Sequence, residues 1–164
     1  MNIAKRAMLV FLIMVLCVAC DQTTKSLAVS ALPETKTFSY LGGTLHFQVA
    51  YNRGAFLSLG SSLPDVWRQR IFTFGTGFFL IGLVAFALFF KPGRLPVISA
   101  ISLIAAGGAG NLIDRVTHGG SVVDFISIGA GPLRTGIFNI ADVAVIAGTL
   151  LLLRTASRRL EMVG

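Results

Sequence analysis

The chain has 164 residues, 54% of them hydrophobic and 13% charged, which is more apolar side chain than one small water-soluble core would bury. Fourteen Lys and Arg against seven Asp and Glu give a formal charge of +7. The basic residues stand at the ends of apolar runs and form no stripe with interleaved aromatics, which argues against nucleic acid as a partner and for a role in membrane orientation.

The first apolar run, Ala7 to Cys20, follows Lys5 and Arg6. Fourteen residues cover only about 21 Å of helix, and Cys17-Val18-Ala19-Cys20 after a basic start also reads as a bacterial lipoprotein signal peptide, with Cys20 as the lipidated residue. A full span results if the helix continues past Asp21 with Asp21 and Lys25, at i and i+4, paired on one face. Three further apolar runs favour this retained span, placed at residues 7–28. The two cysteines, one helical turn apart, can staple no distant elements, and no βαβ pattern surrounds them to suggest a redox pair.

Residues 29–70 are more polar. Phe38-Ser39-Tyr40 and Leu45 to Tyr51 are β-prone runs separated by Gly42-Gly43, which predicts a hairpin or small sheet. Leu63 to Arg70, with Val66 and Trp67 among Asp65, Arg68 and Arg70, predicts a short helix lying in the membrane interface. The second span, residues 71–90, has twenty residues without a charge and reaches roughly 30 Å, the hydrocarbon thickness of a bilayer. The third, residues 97–113, lies between Pro96 and Asp114.

The fourth run, residues 136–153, ends at Arg154, and a full span counted back from there reaches Arg134, placing Asp142 inside the bilayer. Val143 to Leu153 alone covers about 17 Å and cannot cross. A carboxyl in that position costs about 2.5 to 3.5 kcal/mol on insertion scales and marks a functional candidate. The alternative reading is structural: Asn139 caps the last helix and Asp142 supports its amino end through the backbone dipole. Lys5 and Arg6, Lys91 and Arg94, and Arg154, Arg158 and Arg159 all fall on one side of four spans, which predicts cytoplasmic termini and an outer face carrying most of the polar residues.

Asp114, Asp124 and Asp142 converge on that outer face. Asp114 precedes Arg115 at the end of a span, so a structural charge pair is its simplest role. Asp124 sits in Val122-Val123-Asp124-Phe125, an extended-looking segment without a sequence-adjacent basic partner, and the glycines at 119, 120, 129, 131 and 136 let the chain turn back towards Asp142. Two carboxyls sharing one water can split their titration, one ionised and one protonated, as aspartic proteolysis requires. No metal or cofactor is called for: His46 and His118 lack the spacing of a zinc site, and no serine lies in a nucleophile elbow. A small transporter or channel subunit, using buried aspartates to move cations or protons, is the rival class. A lipoprotein anchored at Cys20 is a third.

The sequence resembles the signal peptidase II family, the prolipoprotein signal peptidases. The resemblance runs through Asp21-Gln22-Thr23-Thr24-Lys25, Asn52-Arg53-Gly54-Ala55-Phe56, Gly110-Asn111-Leu112-Ile113-Asp114-Arg115, Val122-Val123-Asp124-Phe125 and Phe138-Asn139-Ile140-Ala141-Asp142. One departure is at Phe56, where the family more often has a second alanine first. The resemblance implies an all-α membrane fold of four transmembrane helices, with a small extracytoplasmic β-sheet and a short interfacial helix, in a single integral membrane domain. It implies a catalytic dyad of Asp124 and Asp142, with Asp21, Lys25, Asn52, Gly54, Asn111, Asp114, Arg115, Asn139 and Ala141 binding substrate or supporting the site. The implied substrate is a diacylglyceryl-modified prolipoprotein, cut before its lipidated cysteine at the outer face of the bacterial inner membrane, with membrane lipid as the other partner.

Overall fold

The computed structural model describes residues 1–54, 64–89 and 95–160. Phe56 and the Lys91 and Arg94 cluster lie outside them. Four helices are long and apolar enough to cross a membrane. The first, α1 (Ile3–Ala31), starts at Asn2, whose side chain accepts the Lys5 N–H at 3.0 Å. It runs three residues or more beyond the expected span at each end, because Asp21 and Lys25 are not a break: they pair at 2.8 Å on one buried face.

Helix α2 (Asp65–Arg70) is the short helix anticipated at the end of the insertion. It does not stand apart from the second span. Its backbone continues through one π-helical stretch, Ile71–Gly75, into α3 (Thr76–Phe89), so the aromatic and basic residues Trp67, Arg68 and Arg70 form the upper turns of a continuous helix. Helix α4 is Leu95–Thr117 and α5 is Ile140–Leu160. The outward faces carry large apolar side chains such as Phe11, Phe78 and Leu150, the arrangement expected of helices in lipid.

The expected start of the last helix is corrected. It begins at Ile140, not 136, and continues past Arg154 to Leu160. The residues before it are held as extended chain: Thr135 donates to the Ile128 carbonyl and Phe138 exchanges hydrogen bonds with Ile126. Arg134, counted as the start of the span, lies instead in strand β4 (Leu133–Arg134), where its guanidinium donates to the carbonyls of Gly43, Thr44 and Ser127. Asp142 therefore sits in the first turn of α5, at the end of the bundle and not midway through it.

A four-stranded antiparallel sheet covers that end, in the order β1 (Phe38–Tyr40), β2 (Leu45–Asn52), β3 (Val122–Ala130), β4. The predicted hairpin is its first half; the second half comes from beyond α4. A register shift between Phe47 and Ala50 brings Ala50 opposite Asp124 and Asn52 opposite Val122. Val49, Val123 and Phe125 of the sheet pack on Ala28 near the end of α1, while Val10, Ala87, Ile98 and Ile101 form a second core deeper between α1, α3 and α4. Helices α4 and α5 approach closely because Gly107 and Gly148 face backbone across the interface, leaving no room for a Cβ.

Candidate active site

Every site residue expected from the sequence lies at the junction of the helices and the sheet. Asp124 comes from β3 and is almost fully buried, at 3% exposure; Asp142 comes from the first turn of α5 and is half-buried. Two asparagines bridge them. Asn139, fully buried immediately before α5, donates its side-chain amide to Asp124 Oδ1 at 2.7 Å and to Asn111 Oδ1 at 3.0 Å. Asn111, on α4, donates in turn to Asp142 Oδ1 at 2.9 Å. Asn52, at the end of β2, donates to Asp124 Oδ2 at 3.1 Å, and its own oxygen accepts the Gly54 N–H at 3.0 Å, which turns the chain away from the strand.

The capping reading of Asn139 and Asp142 is also present. Asn139 Oδ1 accepts the Asp142 N–H at 3.0 Å and Asp142 Oδ2 accepts the Asn139 N–H at 3.2 Å, the reciprocal arrangement of a capping box. The two readings are compatible, since Asp142 Oδ1 remains turned towards Asn111 and the open side of the site.

A second buried cluster supports the first. Lys25 Nζ lies 2.8 Å from Asp21 Oδ2, 2.8 Å from Asp114 Oδ2 and 3.0 Å from Asn111 Oδ1, so all three of its donors are used. Asp21 Oδ1 accepts the Ala141 N–H at 2.9 Å, which ties α1 to the start of α5. Asp114 Oδ2 accepts the Val123 N–H at 2.9 Å, which fixes the strand one residue before Asp124. The expected partnership of Asp114 with Arg115 is not what forms: residues adjacent in a helix point in different directions, and Arg115 lies over the Phe72 ring, 5.9 Å from its centre, while Asp114 turns inward to Lys25.

Gln22 was not singled out by sequence reasoning. Its amide reaches the Gly110 carbonyl at 3.2 Å and Asp114 Oδ1 at 2.9 Å, holding α1 on α4. The available signal was its place beside Asp21 on the polar face of an otherwise apolar helix. Gly110 was quoted only as part of a block. A Cβ there would stand 2.5 Å from Asp21 Oδ2, so a glycine lets the carboxylate in.

Burial and the neighbouring negative charge of Asp142 push the Asp124 carboxyl from its ordinary 3.8 to about 6; the amides of Asn52 and Asn139 and the Lys25 ammonium act in the opposite direction. One site thus holds two carboxyls in unlike surroundings, the condition for one to keep a proton that the other has lost. Among the described residues, no three His, Cys, Asp or Glu side chains come together so as to hold a metal ion.

Comparison with known proteins agrees with this geometry. The family described as signal peptidase (SPase) II matches residues 13–157. A lipoprotein signal peptidase of Xylella fastidiosa (strain M12) is 34% identical over 149 residues, covering 88% of this chain and 85% of that protein. One of Xanthomonas euvesicatoria pv. vesicatoria (strain 85-10) is 36% identical over 146 residues, covering 88% and 83%. A bacterial membrane enzyme solved by the in meso method at 2.3 Å shares the fold with a TM-score of 0.79 and 32% identity, over 91% of this chain and 87% of that one. With a carboxyl pair, one buried and one half-buried, at one end of a four-helix membrane bundle and these relatives along nearly its whole length, the chain belongs to the signal peptidase II family of peptidases.

Proposed function

We propose that this peptidase is an aspartic endopeptidase, that Asp124 and Asp142 are its catalytic pair, and that it removes signal peptides from diacylglyceryl-modified prolipoproteins by cutting before the lipidated cysteine. The observation that carries the reading is the pairing itself: two carboxyls from different elements, joined through Asn139 and Asn111, one buried and one half-buried. The ionised carboxylate takes a proton from water as the water oxygen attacks the scissile carbonyl carbon, and the protonated carboxyl gives its proton to the carbonyl oxygen. When the tetrahedral intermediate collapses, the first carboxyl passes its proton to the departing nitrogen, and the second recovers one from the intermediate's hydroxyl. Atoms and protons balance, and the pair returns to its starting state.

The depth of the site supports a lipid-anchored substrate. Asp142 sits at the end of a span, beneath a sheet, where a peptide bond tethered by an acyl-bearing cysteine on one side and an apolar helix on the other would be presented. The gathering of Asp21, Asp114, Asp124 and Asp142 around one end of the bundle, in place of a distribution through its depth, favours this reading over a transport pathway. The basic residues at the other ends of the spans favour a sheet facing outward and termini in the cytoplasm.

The test is product formation per folded protein in detergent with a diacylglyceryl-modified prolipoprotein, read by mass analysis. Asp124→Asn and Asp142→Asn should each abolish cleavage while leaving a folded protein, and the double variant should be scarcely worse than either. Unlipidated precursor should be cut poorly. Substantial turnover by either single variant rejects the pair, and equal rates with and without the lipid reject the substrate while leaving a peptidase.

A further inference from the structure

The three asparagines of the site have no freedom to exchange oxygen for nitrogen, because each is turned by a group that can only donate. Lys25 Nζ faces Asn111, so Asn111 must offer its oxygen there and its NH2 to Asp142. The Gly54 N–H sets Asn52 and the Asp142 N–H sets Asn139, so both direct an NH2 at Asp124. Each hydrogen bond reaching the pair therefore ends on a carboxyl oxygen as acceptor, and any proton the pair holds must point away from the asparagines. Among the described residues, the charged groups gathered about the pair are Asp21 and Lys25 from α1 and Asp114 and Arg115 from α4; β2 presents the neutral Asn52. Two cations stand against four carboxyls, an excess that one retained proton relieves.

We propose that Lys25, acting through Asn111, fixes Asp142 as the ionised member of the pair and leaves the proton on Asp124. The inference rests on the dyad reading above and assigns its two roles. Asn111 is polarised by the ammonium on its oxygen, which strengthens the bond its NH2 makes to Asp142. Asp142 also accepts the Asn139 N–H, lies in the first turn of a helix whose backbone dipole favours negative charge, and is half-open to water. Asp124 has none of those last advantages: it lies on a strand, almost fully buried, and burial pushes its carboxyl up. Asp142 then activates the water and Asp124 donates to the carbonyl oxygen. Lys25 and Asn111 are positioning residues, which act on the reaction through Asp142.

The test is an infrared titration of the purified, folded protein in detergent, following the carbonyl stretch of protonated carboxyl groups, beside a pH profile of kcat. Wild type should show a step near pH 6, the value to which Asp124 is raised. Asp124→Asn should remove that step, and Asp142→Asn should keep it and move it lower, since the Asp142 charge is among the causes that raise it. A step that survives Asp124→Asn and vanishes with Asp142→Asn overturns the proton placement. Lys25→Met should shift the low-pH limb of kcat upward by about one pH unit, a tenfold change in the ionised fraction, with Lys25→Arg closer to wild type. Should Lys25→Met not fold, Asn111→Leu cuts the link while leaving Lys25 with Asp21 and Asp114, and the same shift is expected. A folded variant with an unmoved limb overturns the part given to Lys25. Failure of the dyad itself is separately visible, as turnover by Asp124→Asn whatever the infrared shows.

Discussion

Gly110→Ala sets two effects of known sign against each other. In an exposed helix the substitution would stabilise by about 0.8–1.0 kcal/mol, because alanine loses less backbone freedom on folding. Here the new methyl would stand 2.5 Å from Asp21 Oδ2 and 3.3 Å from Ala141 Cβ. Restoring ordinary contact requires the carboxylate to retreat by roughly 1 Å. It cannot do so cheaply, since the same carboxylate holds Lys25 at 2.8 Å and the Ala141 N–H at 2.9 Å. Weakening these two charge-assisted bonds costs about 1.5–3 kcal/mol each, so the variant should be destabilised by about 2–5 kcal/mol net. Ala141 precedes Asp142, and a displacement of about 1 Å at a reacting group lowers turnover on the order of 100-fold. Thermal melting in detergent and product per folded protein measure both consequences. Gly82→Ala is the control: it makes the same chemical change in α3 where nothing lies within 4 Å of the new Cβ, and should melt at or above wild type. A Gly110→Ala protein with wild-type melting and turnover would refute the argument that this glycine exists to admit the Asp21 carboxylate.

The raised Asp124 carboxyl makes stability depend on pH with a definite sign. The folded state binds that proton more tightly than the unfolded chain, so the contribution is whole below about pH 4 and is lost as pH rises through about 6, a change of about 3 kcal/mol. Asp124→Asn should remove that slope from the melting temperature; parallel pH dependences in the two proteins would contradict it. Arg134→Ala should free the Gly43–Thr44 turn, seen as faster amide exchange at the β1–β2 end of the sheet, with turnover reduced several-fold but not abolished, since Arg134 touches neither carboxyl. Reporters fused after Phe90 or Arg159 should read cytoplasm and one near Ser62 the outer face; a cytoplasmic signal at Ser62 would reverse the proposed orientation.

The helices were legible because lipid leaves few alternatives: a long uncharged run must satisfy its backbone internally, and only helix does so within one segment. The Asp21 and Lys25 pair was legible from i, i+4 spacing alone. The third member of that cluster was not, because Asp114 lies far along the chain and its sequence neighbour Arg115 offered a false partner that helix geometry turns away. The start of α5 was misplaced for a related reason. Counting apolar residues back from Arg154 ignores that Thr135 and Phe138 have a strand to pair with, and that Asn139 with Asp142 forms a stronger starting signal than hydropathy. The extent of the sheet was hidden in the same way: β3 follows a helix and pairs with β2 from the other side of two spans, a non-local pairing that no local pattern announces.

The uninterrupted course of α1 bears on how a processing enzyme tells itself from its clients. Residues Cys17 to Cys20 copy the signature the enzyme is proposed to cut, and Cys20 is exposed. Yet the Ala19–Cys20 peptide lies mid-helix, its carbonyl committed to the turn above, and the Cys20 carbonyl accepts the Thr24 hydroxyl as well, at 2.8 Å. An amide so engaged offers no free oxygen to a donor and no open face to a water, and releasing it would mean unwinding a helix that Asp21 and Lys25 lock to the bundle just beyond. The letters are those of the proposed substrate, and the helical shape is not that of an extended, cleavable segment.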